Sequence, residues 1–122
     1  MSEDSFHQLQ VRITEKIMGC EKQLDQIGVQ ISSKQRESRL AALTKREIEG
    51  LDSSIPLYKS MGKMFVQENK ESLLNEIEKT TGDANTLIEA LEKKQKFVKR
   101  DLDEAVGNLK DTVRAAQNST AK

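Results

Sequence analysis

The sequence predicts a mainly α-helical protein: a long antiparallel two-helix coiled coil with a single β-hairpin at the connecting end. Three observations predict this fold. Apolar residues recur every seven positions in both halves of the chain. Between the halves, a segment alternates with a period of two around a glycine. Of the 122 residues, 33% are charged and only 3% aromatic, which suits narrow helical seams better than a globular core. We expect one domain over residues 1–122.

Helix 1 is predicted over residues 5–50, with Gly50 as its C-terminal cap. Two heptad series, offset by three and four residues, form its apolar seam. The seam becomes polar at Lys34 and Ser38, so looser packing is expected there. The two series are Gln10, Ile17, Leu24, Ile31 and Ser38, and Phe6, Ile13, Cys20, Ile27, Lys34 and Ala41.

Helix 2 is predicted over residues 70–116, with Asn69 as its N-terminal cap and residues 117–122 as a disordered tail. Because the connector between the helices is short, they are expected to run antiparallel, seam against seam. The second seam combines two series: Leu74, Thr81, Ile88, Gln95, Leu102, Leu109 and Ala116, and Ile77, Ala84, Leu91, Val98, Ala105 and Thr112.

The hairpin is predicted over residues 54–69, with Gly62 in the turn and Pro56 near the start of the first strand. A lone two-stranded hairpin is marginally stable in water, and its open edges favour pairing with other chains. We therefore interpret the hairpin as an assembly element; the alternative is that it folds back and caps the coil. The predicted assembly residues are Ile55, Leu57, Tyr58, Met61, Gly62, Met64, Phe65 and Val66.

Composition excludes several classes of function. The 20 basic and 20 acidic residues balance, which argues against a nucleic-acid partner. No segment is apolar enough to span a membrane, and the first ten residues lack a signal-peptide core. A single cysteine suits a reducing compartment, so we expect a cytoplasmic protein, with the nucleus as a second location.

The sequence carries no motif for catalysis. Cysteine and histidine do not cluster with metal-ligand spacing, and the glycines do not form a phosphate loop. Cys20 lies on the seam, where a buried, inert thiol is expected. His7 lacks a partner at a fixed distance and is expected to be exposed. We predict no enzyme activity, no cofactor and no metal.

The segment "YKSMGKMFVQENKESLLNEI", residues 58–77, resembles the prefoldin family. A tyrosine, a short glycine turn and an aliphatic strand leading into a charged helix start are typical of that family. One hairpin indicates a β-type subunit, since α-type subunits have two. The resemblance covers residues 6–116, and the run from Gly62 to Phe65 looks most like one particular eukaryotic β-type subunit.

The resemblance implies a hexamer of two α-type and four β-type subunits, whose hairpins build a double β-barrel platform. Such a complex captures unfolded proteins without ATP, actin and tubulin among them, and delivers them to the group II chaperonin. The partners implied are therefore other prefoldin subunits, unfolded clients and that chaperonin. No nucleic acid and no membrane is expected among them.

Clients are expected to bind where apolar residues exceed what the seam uses, at the end of the coil far from the hairpin. Leu9 and Val106 have the alternative reading that they only widen the seam. Phe97 is expected to face outward as an isolated surface aromatic. The candidate client-binding residues are Phe6, Leu9, Val11, Ile13, Met18, Val106, Leu109 and Val113.

Two rival functions remain. A scaffold or tethering coiled coil would use its hairpin to cap a homodimer. A membrane-surface amphipathic protein is disfavoured because the seams are narrow, the polar faces are charge-balanced, and neither helix is expected to show a basic stripe for anionic lipid. The first rival differs from a prefoldin subunit in its assembly, since it would form a homodimer that ignores α-type partners.

Overall fold

The computed structural model describes residues 3–120, and the exposure of the side chains of residues 3–118. The order of elements is α1 (Glu3–Glu49), β1 (Leu57–Met61), β2 (Met64–Glu68) and α2 (Lys70–Thr120). The two long helices and the antiparallel hairpin confirm the predicted fold class. Within the described residues, neither helix is long and apolar enough to cross a lipid bilayer.

The helix ends differ from the predicted ones at two places. α2 continues to Thr120, so the predicted disordered tail is wrong for residues 117–120; residues 121–122 lie outside the described part. The helix continues because Ala115 and Ala116 favour it, and Ala116 also extends the heptad series. At the other helix, α1 ends at Glu49, but Gly50 does not take the left-handed backbone conformation of a glycine cap.

The chain forms two compact units, the first of which contains residues 3–30 and 91–120. Every buried residue described in it belongs to a predicted heptad series, which confirms the seam. Ile27 is the most enclosed of the α1 residues, with 2% of its surface exposed. The buried residues of this unit are Cys20, Ile27, Leu91, Val98 and Ala105.

The second unit contains residues 31–90. Its buried described residues are Ile31 and Ala84, fewer than in the first unit. Ser38, a polar seam position, donates a hydrogen bond to Oδ1 of Asn85 at 3.2 Å. The polar seam residues therefore replace apolar packing here, as the sequence predicted.

Contacts between side chains of α1 and α2 show the relative direction of the two helices in the second unit. Lys45 of α1 pairs with Glu78 of α2 at 2.9 Å, about two helical turns from the Ser38–Asn85 bond. As the chain advances along α1, its partners on α2 come earlier in the sequence. The helices therefore run antiparallel in this unit.

The junction between the hairpin and the helices is held by side-chain caps. Oδ1 of Asn69 accepts a hydrogen bond from the Ser72 backbone N–H at 2.7 Å, which confirms the predicted N-cap. The Lys70 ammonium donates to the carbonyl oxygens of Glu49, at 3.2 Å, and Leu51, at 2.9 Å. The Gly50 N–H bonds the Arg46 carbonyl at 3.2 Å, and Lys70 adds a side-chain cap on the last carbonyl of α1, that of Glu49.

Replacing Asn69 with alanine is expected to lower the free energy of unfolding by about 1 kcal/mol, because the Ser72 N–H loses its acceptor. Asn69→Asp keeps a side-chain oxygen at the same place and is the matched control. Urea unfolding followed by circular dichroism measures both. Equal losses for alanine and aspartate would show that the cap contributes nothing.

Candidate functional site

The hairpin turn depends on Gly62. β1 and β2 pair antiparallel, and Met61 faces Met64 next to the two-residue turn. Gly62 has a φ of 64°. No described non-glycine residue has a positive φ, so Lys63, the second turn residue, has a negative φ. A glycine with positive φ at the first turn position matches the primed turns that suit the twist of paired strands. Gly62 therefore acts as the predicted turn residue.

The strand register divides the hairpin into two faces. Cross-strand partners lie on the same side of a sheet, so Tyr58, Gln67, Ser60 and Phe65 share one face. Phe65 is 74% exposed, and Tyr58 is exposed beside it. An aromatic ring with most of its surface in water is costly unless another surface covers it.

The opposite face is anchored to the start of α2. It carries Lys59, whose ammonium lies 2.8 Å from Oε2 of Glu76. This hydrogen bond raises the pKa of Lys59 above its ordinary value, with support from the charges of Glu76 and Glu68 and against partial desolvation. The stabilisation that the Lys59 charge contributes is therefore fully present below the ordinary lysine pKa, and it is lost as the pH rises through the raised value. The anchoring holds at neutral pH.

Glu68 completes the anchored face. It lies at the end of β2, paired with Leu57 across the strands. Among the described side chains, its Oε2 atom is the buried oxygen that has no hydrogen-bond partner. A desolvated carboxylate oxygen without a donor is unfavourable. The Glu68 charge does act on the nearby Lys59 ammonium, whose pKa it helps to raise.

Both outer edges of the hairpin are unpaired within residues 3–120, because β1 and β2 hydrogen-bond only to each other. The predicted assembly residues mostly lie exposed. Leu57 is half-buried, and Gly62 serves the turn. The alternative in which the hairpin folds back to cap the coil fits only the anchored face, since the Phe65 face stays open. The exposed assembly residues are Ile55, Tyr58, Met61, Met64, Phe65 and Val66.

The predicted client-binding residues all lie in the first unit, but they differ in exposure. Val11 and Met18 are exposed, by 40% and 63% respectively. The others are partly covered, so the reading that Leu9 and Val106 widen the seam agrees with their burial. The half-buried candidates are Phe6, Leu9, Ile13, Val106, Leu109 and Val113.

The sequence reasoning missed several exposed apolar residues outside the seams. Phe97 was expected to face outward and does so, with the Arg100 guanidinium 5.9 Å from its ring centre. The missed residues share one signal in the sequence: each is an apolar residue at a position outside the heptad series, where polar residues are expected. The missed residues are Val29, Leu40, Leu43 and Leu87.

Two long helices joined by one hairpin with exposed aromatic side chains define the class of protein as a two-helix coiled coil with a β-hairpin connector. The family model described as prefoldin subunit matches residues 11–116. This chain belongs to the prefoldin subunit family.

Relatives and solved structures agree with this assignment. Probable prefoldin subunit 1 of Schizosaccharomyces pombe is 34% identical over 86 residues, which are 70% of this chain and 77% of the relative. Prefoldin subunit 1 of Bos taurus is 28% identical over 100 residues, 82% of each chain. Subunit 1 is also the eukaryotic β-type subunit that the Gly62–Phe65 run resembles.

The fold has a solved counterpart. The crystal structure of the prefoldin beta subunit from Thermococcus strain KS-1 matches with a TM-score of 0.79 and 23% identity. The match covers 88% of this chain and 93% of that one. At this identity the likeness shows the fold, and it confirms the one-hairpin architecture predicted for a β-type subunit.

Proposed function

We propose that this prefoldin subunit joins α-type and β-type subunits in a hexamer that captures unfolded proteins without ATP and delivers them to the group II chaperonin. Prefoldin subunits act as co-chaperones in hetero-oligomers. For this chain we propose the stoichiometry of the hexamer, the class of clients and the chaperonin that receives them. The proposed activity is binding rather than chemistry, so we propose no enzyme function. We place it in the cytoplasm, with the nucleus as a second location.

One observation carries the proposal: within the described residues, the hairpin has unpaired strand edges and uncovered aromatic side chains. The Phe65 face is open, both strand edges are unpaired in the described residues, and Glu68 keeps a buried oxygen without a donor. Strands from neighbouring subunits would pair the edges and cover the rings. A homodimeric scaffold is disfavoured because the prefoldin subunit family, to which the chain belongs, assembles as hetero-oligomers.

Clients are proposed to bind at the helix surface around Val11 and Met18. Exposed apolar side chains give contact without a shaped pocket, as a surface for many unfolded sequences requires. Methionine suits such contacts because its side chain is flexible and polarizable. Actin and tubulin are the clients proposed for testing.

The proposal is tested by reconstituting the full chain with α-type and β-type partners and measuring the aggregation of denatured actin by light scattering. Suppression without nucleotide, unchanged by added ATP, is expected. A complex that forms but leaves aggregation at the rate of buffer would contradict the client-capture function.

Changing Val11 and Met18 together to serine is expected to weaken client capture at least fivefold, about 1 kcal/mol, because two exposed apolar contacts are lost. The complex should still form, since neither residue lies in the hairpin. The measurement is the concentration of complex that halves actin aggregation.

The matched control changes Val29 and Leu40 to serine. These residues are apolar and exposed on the same helix, but lie closer in sequence to the hairpin. We expect capture to stay within a factor of about two, as for typical surface substitutions. Equal losses in both variants would show that Val11 and Met18 form no special surface.

A further inference from the structure

α2 carries a concentrated positive charge that the balanced composition conceals. Residues 93–100 contain five basic residues and no acidic one, in a chain with zero net charge. All five side chains are exposed. We call these residues, together with the exposed Phe97, the basic patch: Lys93, Lys94, Lys96, Lys99 and Arg100.

The patch is not neutralised within the part of the chain that the structure describes. The ion pairs found among residues 3–118 involve Lys34, Lys45 and Lys59, and none involves the patch. Lys96 and Arg100, four residues apart, instead repel each other, as do Lys93 and Lys96, three apart. Lys93 and Lys96 also follow Glu89 and Glu92 by four residues, a spacing that favours the helix. Helix stability therefore accounts for these two lysines, but not for the repulsion between Lys96 and Arg100.

An aromatic ring lies inside the patch. Phe97 is 66% exposed, and the Arg100 guanidinium lies 5.9 Å from its ring centre. Lys93 precedes the ring by four residues, so the lysine, the ring and the arginine share one face of the helix. This face offers one apolar contact flanked by positive charges.

We propose that the basic patch binds short acidic segments of unfolded client proteins that include an apolar side chain. This inference rests on the proposed client-capture function and adds a charge preference to it. The patch is about 11 Å long on the helix. Three or four extended residues, at roughly 3.3 Å each, cover that length. Carboxylates of such a segment would pair with Lys93, Lys96 and Arg100, which lie on the same side of the helix as the ring, while its apolar side chain covers Phe97.

The flanking charges limit the partner to a short segment. Glu89 and Glu92 precede the patch, and Asp101, Asp103 and Glu104 follow it. A nucleic-acid strand carries phosphates along its whole length, so it would extend from the patch over these acids and be repelled. An acidic segment bounded by neutral residues avoids that repulsion.

The test measures binding of a fluorescent Gly/Ser peptide with a central Asp-Leu-Glu-Asp to the assembled complex, by anisotropy. Changing Lys93, Lys96 and Arg100 together to glutamine is expected to raise the Kd at least about fivefold, since three charge contacts are lost while helix propensity is kept. Phe97→Ala is expected to raise it severalfold. High salt should weaken binding to the unaltered complex by screening.

The matched control changes Lys16, Lys22 and Arg36 to glutamine, three exposed bases of α1, and should bind as the unaltered complex does. A Kd that is unchanged in the patch variant, or equal for a peptide with Asn-Leu-Gln-Asn, would overturn the inference. Tighter binding of a mixed single-stranded oligonucleotide would overturn it too. Actin aggregation measured in parallel separates the two proposals. If the patch variant loses peptide binding but the unaltered complex suppresses aggregation, both proposals hold. If peptide binding is unchanged in the patch variant while aggregation is still suppressed, the charge preference fails and the general capture function stands.

Discussion

Replacing Phe65 with aspartate is expected to prevent assembly with partner subunits while leaving both helices folded. Phe65 is the most exposed ring of the hairpin and lies on its open face. Placing a charge there removes a central aromatic anchor, which is worth at least about 2 kcal/mol at protein interfaces, roughly thirtyfold in affinity. Adding Val66→Asp is expected to complete the loss. Co-purification of partners with the tagged chain measures assembly, and circular dichroism measures helicity.

Val29→Asp is the matched control for this variant. Val29 is 69% exposed, so the same charge is added at a similarly open apolar site, but on α1. We expect partners to co-purify in full with this control. If the Phe65 variant also assembles in full, the hairpin face is not the assembly surface.

Replacing Ile27 with alanine is expected to lower the free energy of unfolding by about 2–4 kcal/mol. Ile27 is 2% exposed and lies in the first unit, among the most buried residues of the chain. Removing three carbon atoms loses their burial and leaves a cavity that the helices fill only partly. Urea unfolding of the assembled complex, followed by circular dichroism, measures the loss.

Val29→Ala is the control for this substitution, two residues further along the same helix. Because Val29 is mostly in water, its truncation should change stability by less than about 0.5 kcal/mol. Similar losses at both positions would show that the predicted seam does not hold the helices together.

Much of the fold is readable from the sequence because two strong periodicities specify it. The seven-residue series place Cys20, Ile27, Val98 and Ala105 inside, and all four are buried. The period of two around Gly62 predicts the hairpin, and the observed register centres on that turn. Local patterns of this kind act through backbone geometry, which does not depend on distant residues.

Features that depend on contacts between distant residues were not readable. Gly50 follows the last residue of α1, but the side-chain cap comes from Lys70, twenty positions later. Leu9 and Val106 look available in the sequence, yet both are half-buried. The width of a seam depends on how two helices meet, which heptad spacing alone does not specify.

One of the candidate sites was predicted from the sequence and another was not. The apolar content of the hairpin predicted an assembly surface, and the open Phe65 face supports that interpretation. The net charge of the whole chain does not predict the basic patch, because the acidic residues elsewhere in the chain cancel its positive charge. Counting charge in short windows along α2 would have found residues 93–100.

The central claim is that the hairpin is completed by other prefoldin subunits. Native mass spectrometry of the complex purified through the full-length tagged chain tests it most directly. The account predicts one discrete hetero-hexamer that contains this chain together with two-hairpin and one-hairpin partners. A stable homodimer that persists in the presence of those partners would contradict it.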